Sequence, residues 1–99
     1  MIKIIQGDSC VRTVTVTKGA DLVEEVYFTS KALNISQKLP KISDNEYLIS
    51  IAPEVTINFK PMLTTFDITV ILKDNQVDTN VYNEEIRVLK KGNRINGKN

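Results

Sequence analysis

The chain has 99 residues, 41% of them hydrophobic and 25% charged, with 13 Lys and Arg against 12 Asp and Glu. That is one globular domain with a formal net charge of +1, too weak a field to draw the protein to nucleic acid or membrane by itself. There is no His, no Trp and a single Cys, which excludes the usual Ser–His and Cys–His catalytic pairs, a four-ligand zinc site and an intramolecular disulfide.

The N-terminal run from Met1 to Ile5 is too short for a signal-peptide core, so no export signal is expected. Nothing approaches the ~20 apolar residues of a membrane span. The dominant period is two. A first strand is expected over 2–6, followed by a turn at Gly7-Asp8. A second covers 10–17, almost entirely β-branched from Val11 to Thr17, and is closed by Lys18-Gly19-Ala20-Asp21. In 24–30, Val26 and Phe28 alternate with Glu25, Tyr27 and Thr29. A weaker segment at 34–39 precedes the turn Ser43-Asp44-Asn45. In 46–51, Tyr47, Ile49 and Ile51 share a face. Val55, Ile57 and Phe59 do the same in 55–60, which lies between Pro53 and Pro61. Phe66, Ile68, Val70 and Leu72 form one face of 66–73, and Asp74-Asn75-Gln76 is the strongest hairpin signal. The last strand is expected over 77–89, interrupted near Asn83, with Ile86 and Val88 on its apolar face.

Each strand has one apolar side that must be covered. The expected fold is therefore all-β: two antiparallel sheets packed face to face, about 10 Å apart, in an immunoglobulin-like sandwich of about 7–9 strands. A small barrel is the alternative. The sandwich is expected to occupy 1–89. Residues 90–99 hold four basic residues and no acid, and are expected to form a flexible basic tail.

Few residues suggest chemistry. Gln6-Gly7-Asp8-Ser9 is a turn with no following helix to bind an anion. Neighbours on a strand point to opposite faces, so Glu24-Glu25 and Glu84-Glu85 cannot share a proton or a metal. Asp67, Asp74 and Asp78 could gather at one end of the sandwich, but calcium needs about six oxygens. Asn34-Ile35-Ser36 matches a glycosylation sequon without an export signal to support its use. Cys10 reads as a small buried hydrophobe. No catalytic, metal or cofactor residue is identified, no cofactor or small-molecule substrate is expected, and the protein is not expected to be an enzyme. Candidate partner contacts are the tail basics Lys90, Lys91 and Arg94.

Four stretches carry a resemblance. They are Gln6-Gly7-Asp8-Ser9 after an opening strand, Gly19-Ala20-Asp21-Leu22 before Val26-Tyr27-Phe28, Ala52-Pro53-Glu54-Val55-Thr56 leading through Pro61 to Phe66-Asp67-Ile68, and Lys73-Asp74-Asn75-Gln76 with Ile86-Arg87-Val88. Together the chain resembles the small immunoglobulin-like domains of tailed-phage and prophage structural proteins, such as the N-terminal domains of upper baseplate proteins. It departs from them at Met62, where a Gly is usual, and at Asp74-Asn75, where Asp-Gly is commoner. The resemblance implies a non-enzymatic baseplate, tail, neck or head component, made in the bacterial cytoplasm and resident in the virion. It would contact other virion proteins and copies of itself, with no specific nucleic acid or membrane partner. The alternative is a carbohydrate- or cell-surface-binding sandwich, for which Tyr27 and Tyr82 are the candidate exposed aromatics.

Overall fold

The computed structural model describes residues 1–17, 19–79 and 84–91, with only the backbone at 78 and 79. Among these residues the strands are β1 (Ile2–Ile5), β2 (Cys10–Thr15), β3 (Val23–Ser30), β4 (Ile35–Lys38), β5 (Lys41–Ser43) and β6 (Glu46–Ile51). One short helix, α1 (Pro53–Thr56), follows, and then β7 (Met62–Thr65), β8 (Asp67–Leu72), β9 (Val77–Thr79) and β10 (Glu85–Leu89).

Three hydrogen-bonded sheets make two layers. One layer is β2–β6–β5. The other joins β1–β10–β7 to β4–β3–β8–β9, because β7 and β8 are one strand broken only at Phe66. The alternation survives that break: Met62 and Thr64 are half-buried, and Phe66, Ile68 and Val70 are buried. One core cluster lies between the layers, fed by Ile2 and Ile4 from β1, Val26 and Phe28 from β3, Ile49 and Ile51 from β6, and Ile86 and Val88 from β10. The period-two faces expected for 24–30, 46–51, 66–73 and the end of 77–89 are the faces that are buried. On β3, the pairing with β8 skips between Val23 and Glu25. This bulge lets Val23 and Val26, of opposite parity, both face inward.

Four expectations need correction. Residues 55–60 are not a strand. Pro53 follows an extended Ala52 and opens α1, since its fixed φ suits a first helical position. The buried residues are then Thr56 and Phe59, three apart, while Val55 and Ile57 stand exposed. Met62–Thr65 is a strand that the pattern hides, because its inward residues are Met62 and Thr64. Lys41–Ser43 is another, fully exposed and three residues long. Finally, the sheets are not wholly antiparallel: β1 runs parallel to β10, in the register Ile2↔Ile86 to Ile5↔Leu89. No hairpin constrains strands so distant in sequence, and β1 leaves directly into the other layer. Within 77–89 the described strands are β9 and β10, and the interruption expected near Asn83 lies outside the described residues.

The Asp74-Asn75-Gln76 hairpin forms. Asn75 takes φ 69°, a conformation Asn tolerates, and the Asp74 carboxylate accepts from the Gln76 amide at 3.2 Å.

Candidate functional site

The first and third stretches of the resemblance meet in space. Thr56, fully buried on α1, accepts a hydrogen bond from the Gly7 amide at 3.0 Å and donates one to the Asp8 carbonyl at 2.8 Å. Gln6 donates to the Phe59 carbonyl at 2.7 Å, and its side-chain oxygen accepts from the Lys91 amide at 3.2 Å. This node ties the β1–β2 turn to the crossover and to the end of β10. Its polar groups serve one another, so its role is to hold the layers in place. Gly7 has φ 85°, and a Cβ there would stand 3.2 Å from Ile57 Cδ1. Gly7→Ala is expected to lower the unfolding free energy by about 1–2 kcal/mol in urea titration. Gly19→Ala is the control, because Gly19 has φ 69° with nothing within 4 Å and reports the backbone part alone.

Among the described residues, the side of the sandwich beyond that turn is open. β1 and β2 leave the turn in different layers, each at the margin of its sheet. Between them lies an open cleft of about 340 Å³, with Ile49 and Phe66 at its apolar floor and Met1, Arg12 and Glu84 among its polar lining. The N-terminal ammonium pairs with Glu84 at 3.1 Å. Arg12 occupies an inward position of β2, in step with buried Cys10 and Val14, yet it is exposed, and among the described residues no strand lies beyond β2 on that side.

The outer edge of β2 follows from its pairing. The Val16 amide donates to the Asn45 carbonyl at 2.8 Å, in register with the β2–β6 ladder. Alternate residues of an antiparallel ladder face alternate sides, so Val11 and Thr13 direct their backbone N–H and C=O away from β6. Arg12 Nη1 donates back to the Val11 carbonyl at 3.1 Å, on that outward side.

A polar cluster lies on the outer face of the other layer. Lys38 Nζ stands 2.9 Å from Glu25, and the Tyr27 hydroxyl donates to the same carboxylate at 3.1 Å. The Lys38 hydrogen bond, then that of Tyr27, hold the Glu25 carboxyl below the usual carboxylate range. A folded pKa below the unfolded one stabilises the fold at neutral pH, and this contribution is lost as pH falls through the depressed value. Melting temperatures from neutral to acid pH should therefore fall more steeply in the wild type than in Glu25→Gln below the ordinary Glu value of about 4.3. At neutral pH the wild type should be the more stable by a small margin, since solvent screens the pair, and that margin should close in acid.

The residues singled out from the sequence do not converge. Lys90 and Lys91 are exposed just after β10, Lys91 beside the Gly7 turn, and Arg94 lies outside the described residues. Asp67 and Asp74 fall at opposite ends of β8, and Asp78 is on β9, so the three do not gather at one end. Among the described residues no three His, Cys, Asp or Glu side chains group as metal ligands. Glu24 sits at the β3 bulge, Glu25 is taken by Lys38, and Glu84 by the N-terminus. Tyr47 is in the core, Tyr27 is half-buried with its hydroxyl engaged, and Tyr82 lies outside the described residues. Asn34 is exposed at φ 55° before β4. Cys10 is buried, and that burial raises its thiol pKa. Sequence reasoning missed the β2 margin. Its signal was a single charge, Arg12, at an inward position of a β-branched run.

No protein-family profile matches the chain, and no curated protein sequence matches it. Among solved structures, the chain is similar to the extracellular domain of mouse leukocyte-associated immunoglobulin-like receptor 1, crystallised as a strand-swapped dimer. The TM-score is 0.53 and the identity 16%, over 90% of this chain and 79% of that one. A protein from Bacteroides vulgatus described as a glycoside hydrolase aligns with TM-score 0.48 and 14% identity, over 94% of this chain and 17% of its own length. The first likeness shows the fold: the sandwich is immunoglobulin-like. At such identity it carries nothing about activity.

Proposed function

We propose that the protein is a non-enzymatic structural component of a tailed-phage or prophage particle, acting through contacts with other particle proteins and with copies of itself. The virion setting is supported by the resemblance in Gln6-Gly7-Asp8-Ser9, Ala52 to Thr56 and Phe66-Asp67-Ile68. The observation that carries an assembly role is the place of β2, which is last in its sheet among the described residues and borders a cleft. Such edges recruit further chains by main-chain hydrogen bonding. Phe59 and Phe66 are in the core, and Thr56 is consumed in a structural node, so the side chains nearest the resemblance stretches serve the scaffold.

The test is to induce the strain that carries the gene and purify its particles on a density gradient. Peptides of this chain should co-sediment with intact particles in stoichiometric amount, and deletion of the gene should leave them unassembled or incomplete. A chain found only in the soluble fraction, with assembly unaffected by its deletion, overturns the proposal.

A further inference from the structure

The turns of the sandwich gather at two ends, and hydrogen bonds fix which turn belongs to which end. At one end, the tip, the Val16 amide donates to the Asn45 carbonyl and the Lys73 amide to the Leu22 carbonyl, each at 2.8 Å, so the turns after β2, β5 and β8 lie together. At the other end, the base, Gln6 and Thr56 tie the β1–β2 turn to the crossover through α1 and to the end of β10. β7 and β8 run between the two over residues 62–72, about 35 Å at the rise of a strand.

The ends differ in charge. Each tip turn carries an exposed Asp: Asp21, Asp44 and Asp74. The base carries exposed Lys60, Lys90 and Lys91, and the sequence beyond Lys91 adds Arg94 and Lys98 with no acid. Among the described residues, none of these three Asp and three Lys side chains is in an ion pair. The minority charges are Lys41 and Lys73 at the tip and Asp8 and Glu54 at the base. Both ends also expose aliphatic side chains. At the tip, Leu22 is 53% exposed and lines a hollow of about 310 Å³ with Leu72, Asp74 and Gln76, and Val77, next in the chain, is 63% exposed. At the base, Val55 and Ile57 stand exposed, and the Ile57 and Lys91 side chains reach the same side of Gly7.

We infer that the base of one copy docks on the tip of the next, an inference that rests on the assembly role above and names its partner. Val55 and Ile57 meet the hollow beside Leu22 and Val77, while Lys60 and Lys91 lie against the three Asp residues of the tip. The minority charges match in sign as well, with Glu54 beside Val55 and Lys73 beside the hollow. A second copy suits the base because an apolar, basic surface needs an acidic partner that also exposes aliphatic groups, and the opposite end of this chain is such a surface. Charges about 35 Å apart in one molecule do not neutralise each other across a screening length of about 8 Å, whereas docking brings them within it. The charged rim sets orientation and rate, and the apolar centre adds burial. Unlike surfaces are joined, so each copy keeps one of each for a further neighbour, and association continues past two copies into a closed ring or a row. The contact is made by side chains and calls on no unpaired strand edge.

The test is sedimentation equilibrium of the full chain from roughly 10 μM to 1 mM, the range of weak contacts. It is run in about 0.01 M and about 1 M salt, where the screening length is about 30 Å and about 3 Å. In low salt the mean mass should climb past twice the monomer mass, and in high salt the association constant should be roughly tenfold lower. Asp21→Lys with Asp44→Lys reverses the tip, and Lys60→Glu with Lys91→Glu reverses the base. All four side chains are exposed, so both variants should keep the far-ultraviolet spectrum of the wild type. Each alone should remain monomeric in low salt, and an equimolar mixture of the two should associate again. If a reversed variant does not fold, Asp44→Asn and Lys60→Gln, which remove one charge each, should each weaken association in low salt and leave it unchanged in high salt. A wild type that is monomeric in low salt, or that stops at two copies, overturns the inference. So do folded variants that associate as the wild type does, or a mixture that stays monomeric. If a monomeric wild type still co-sediments with particles, the assembly role stands and only the choice of partner falls.

Discussion

Phe28→Ala is expected to cost about 3–5 kcal/mol, the largest loss of any single truncation in this domain. Phe28 is 1% exposed on β3, between β4 and β8, and its ring packs on Phe66 with centroids 5.1 Å apart and planes tilted by 53°. Phe66 stands where β7 passes into β8, so the pair sits at the joint that makes two hydrogen-bonded sheets one layer. Truncation opens a cavity at that joint, and neighbours held in ladders on both sides cannot collapse to fill it. A domain of this size has about 5–15 kcal/mol in all, so the variant should be largely unfolded in mild urea. Phe28→Leu keeps most of the volume and should cost less than about 1.5 kcal/mol. An Ala variant that loses no more than the Leu variant in urea titration contradicts this account of the core.

Thr56→Val should be the second most damaging change, at about 2–3 kcal/mol. Val has nearly the shape of Thr, so packing survives and the loss isolates the hydroxyl. That hydroxyl accepts from the Gly7 amide and donates to the Asp8 carbonyl, at a position with 0% exposure. Without it the half-buried Gly7 amide and Asp8 carbonyl lose the partner that the fold gives them. The melting temperature should fall by roughly 10–20 °C. Thr56→Ser keeps the hydroxyl, loses one methyl group and should cost only about 1 kcal/mol. Equal losses in the two variants would show that the methyl, and not the hydrogen bonds, matters.

Most strands could be read along the chain because their information is local. Tyr47, Ile49 and Ile51 alternate with Glu46, Leu48 and Ser50, and a pleated strand puts every second side chain on one face whatever surrounds it. The hairpin at Asp74-Asn75-Gln76 was equally legible, since its residue types suit the backbone conformations of the turn. The run at 55–60 misled because Val55, Ile57 and Phe59 alternate by accident. Pro53 and Glu54 just before them were the better signal, marking a first helical turn. The strand at 62–65 was masked because Thr64 stands at an inward position where an apolar residue would announce it.

The candidate site was the least legible part. Arg12 is an ordinary charge in the sequence, and only the sheet order shows that its strand is marginal and its side chain directed into a cleft. Thr56 likewise looks like any Thr until the turn at Gly7-Asp8, 48 residues away, is brought against it. Lys90 and Lys91 stand out in the sequence by charge and by their place at the start of an expected flexible tail, and neither property says which surface a partner's hydrogen bonds would meet.

Unaided, the order of residues determined the all-β class, the inward faces of most strands and the places where the chain turns, because these depend on neighbours two to four positions apart. The tertiary structure decided which strands lie at the margins, that β1 runs parallel to β10, and which polar groups are buried together. Those outcomes depend on segments distant in sequence satisfying one another's amides and covering one another's apolar faces, and no local pattern records which segments will meet.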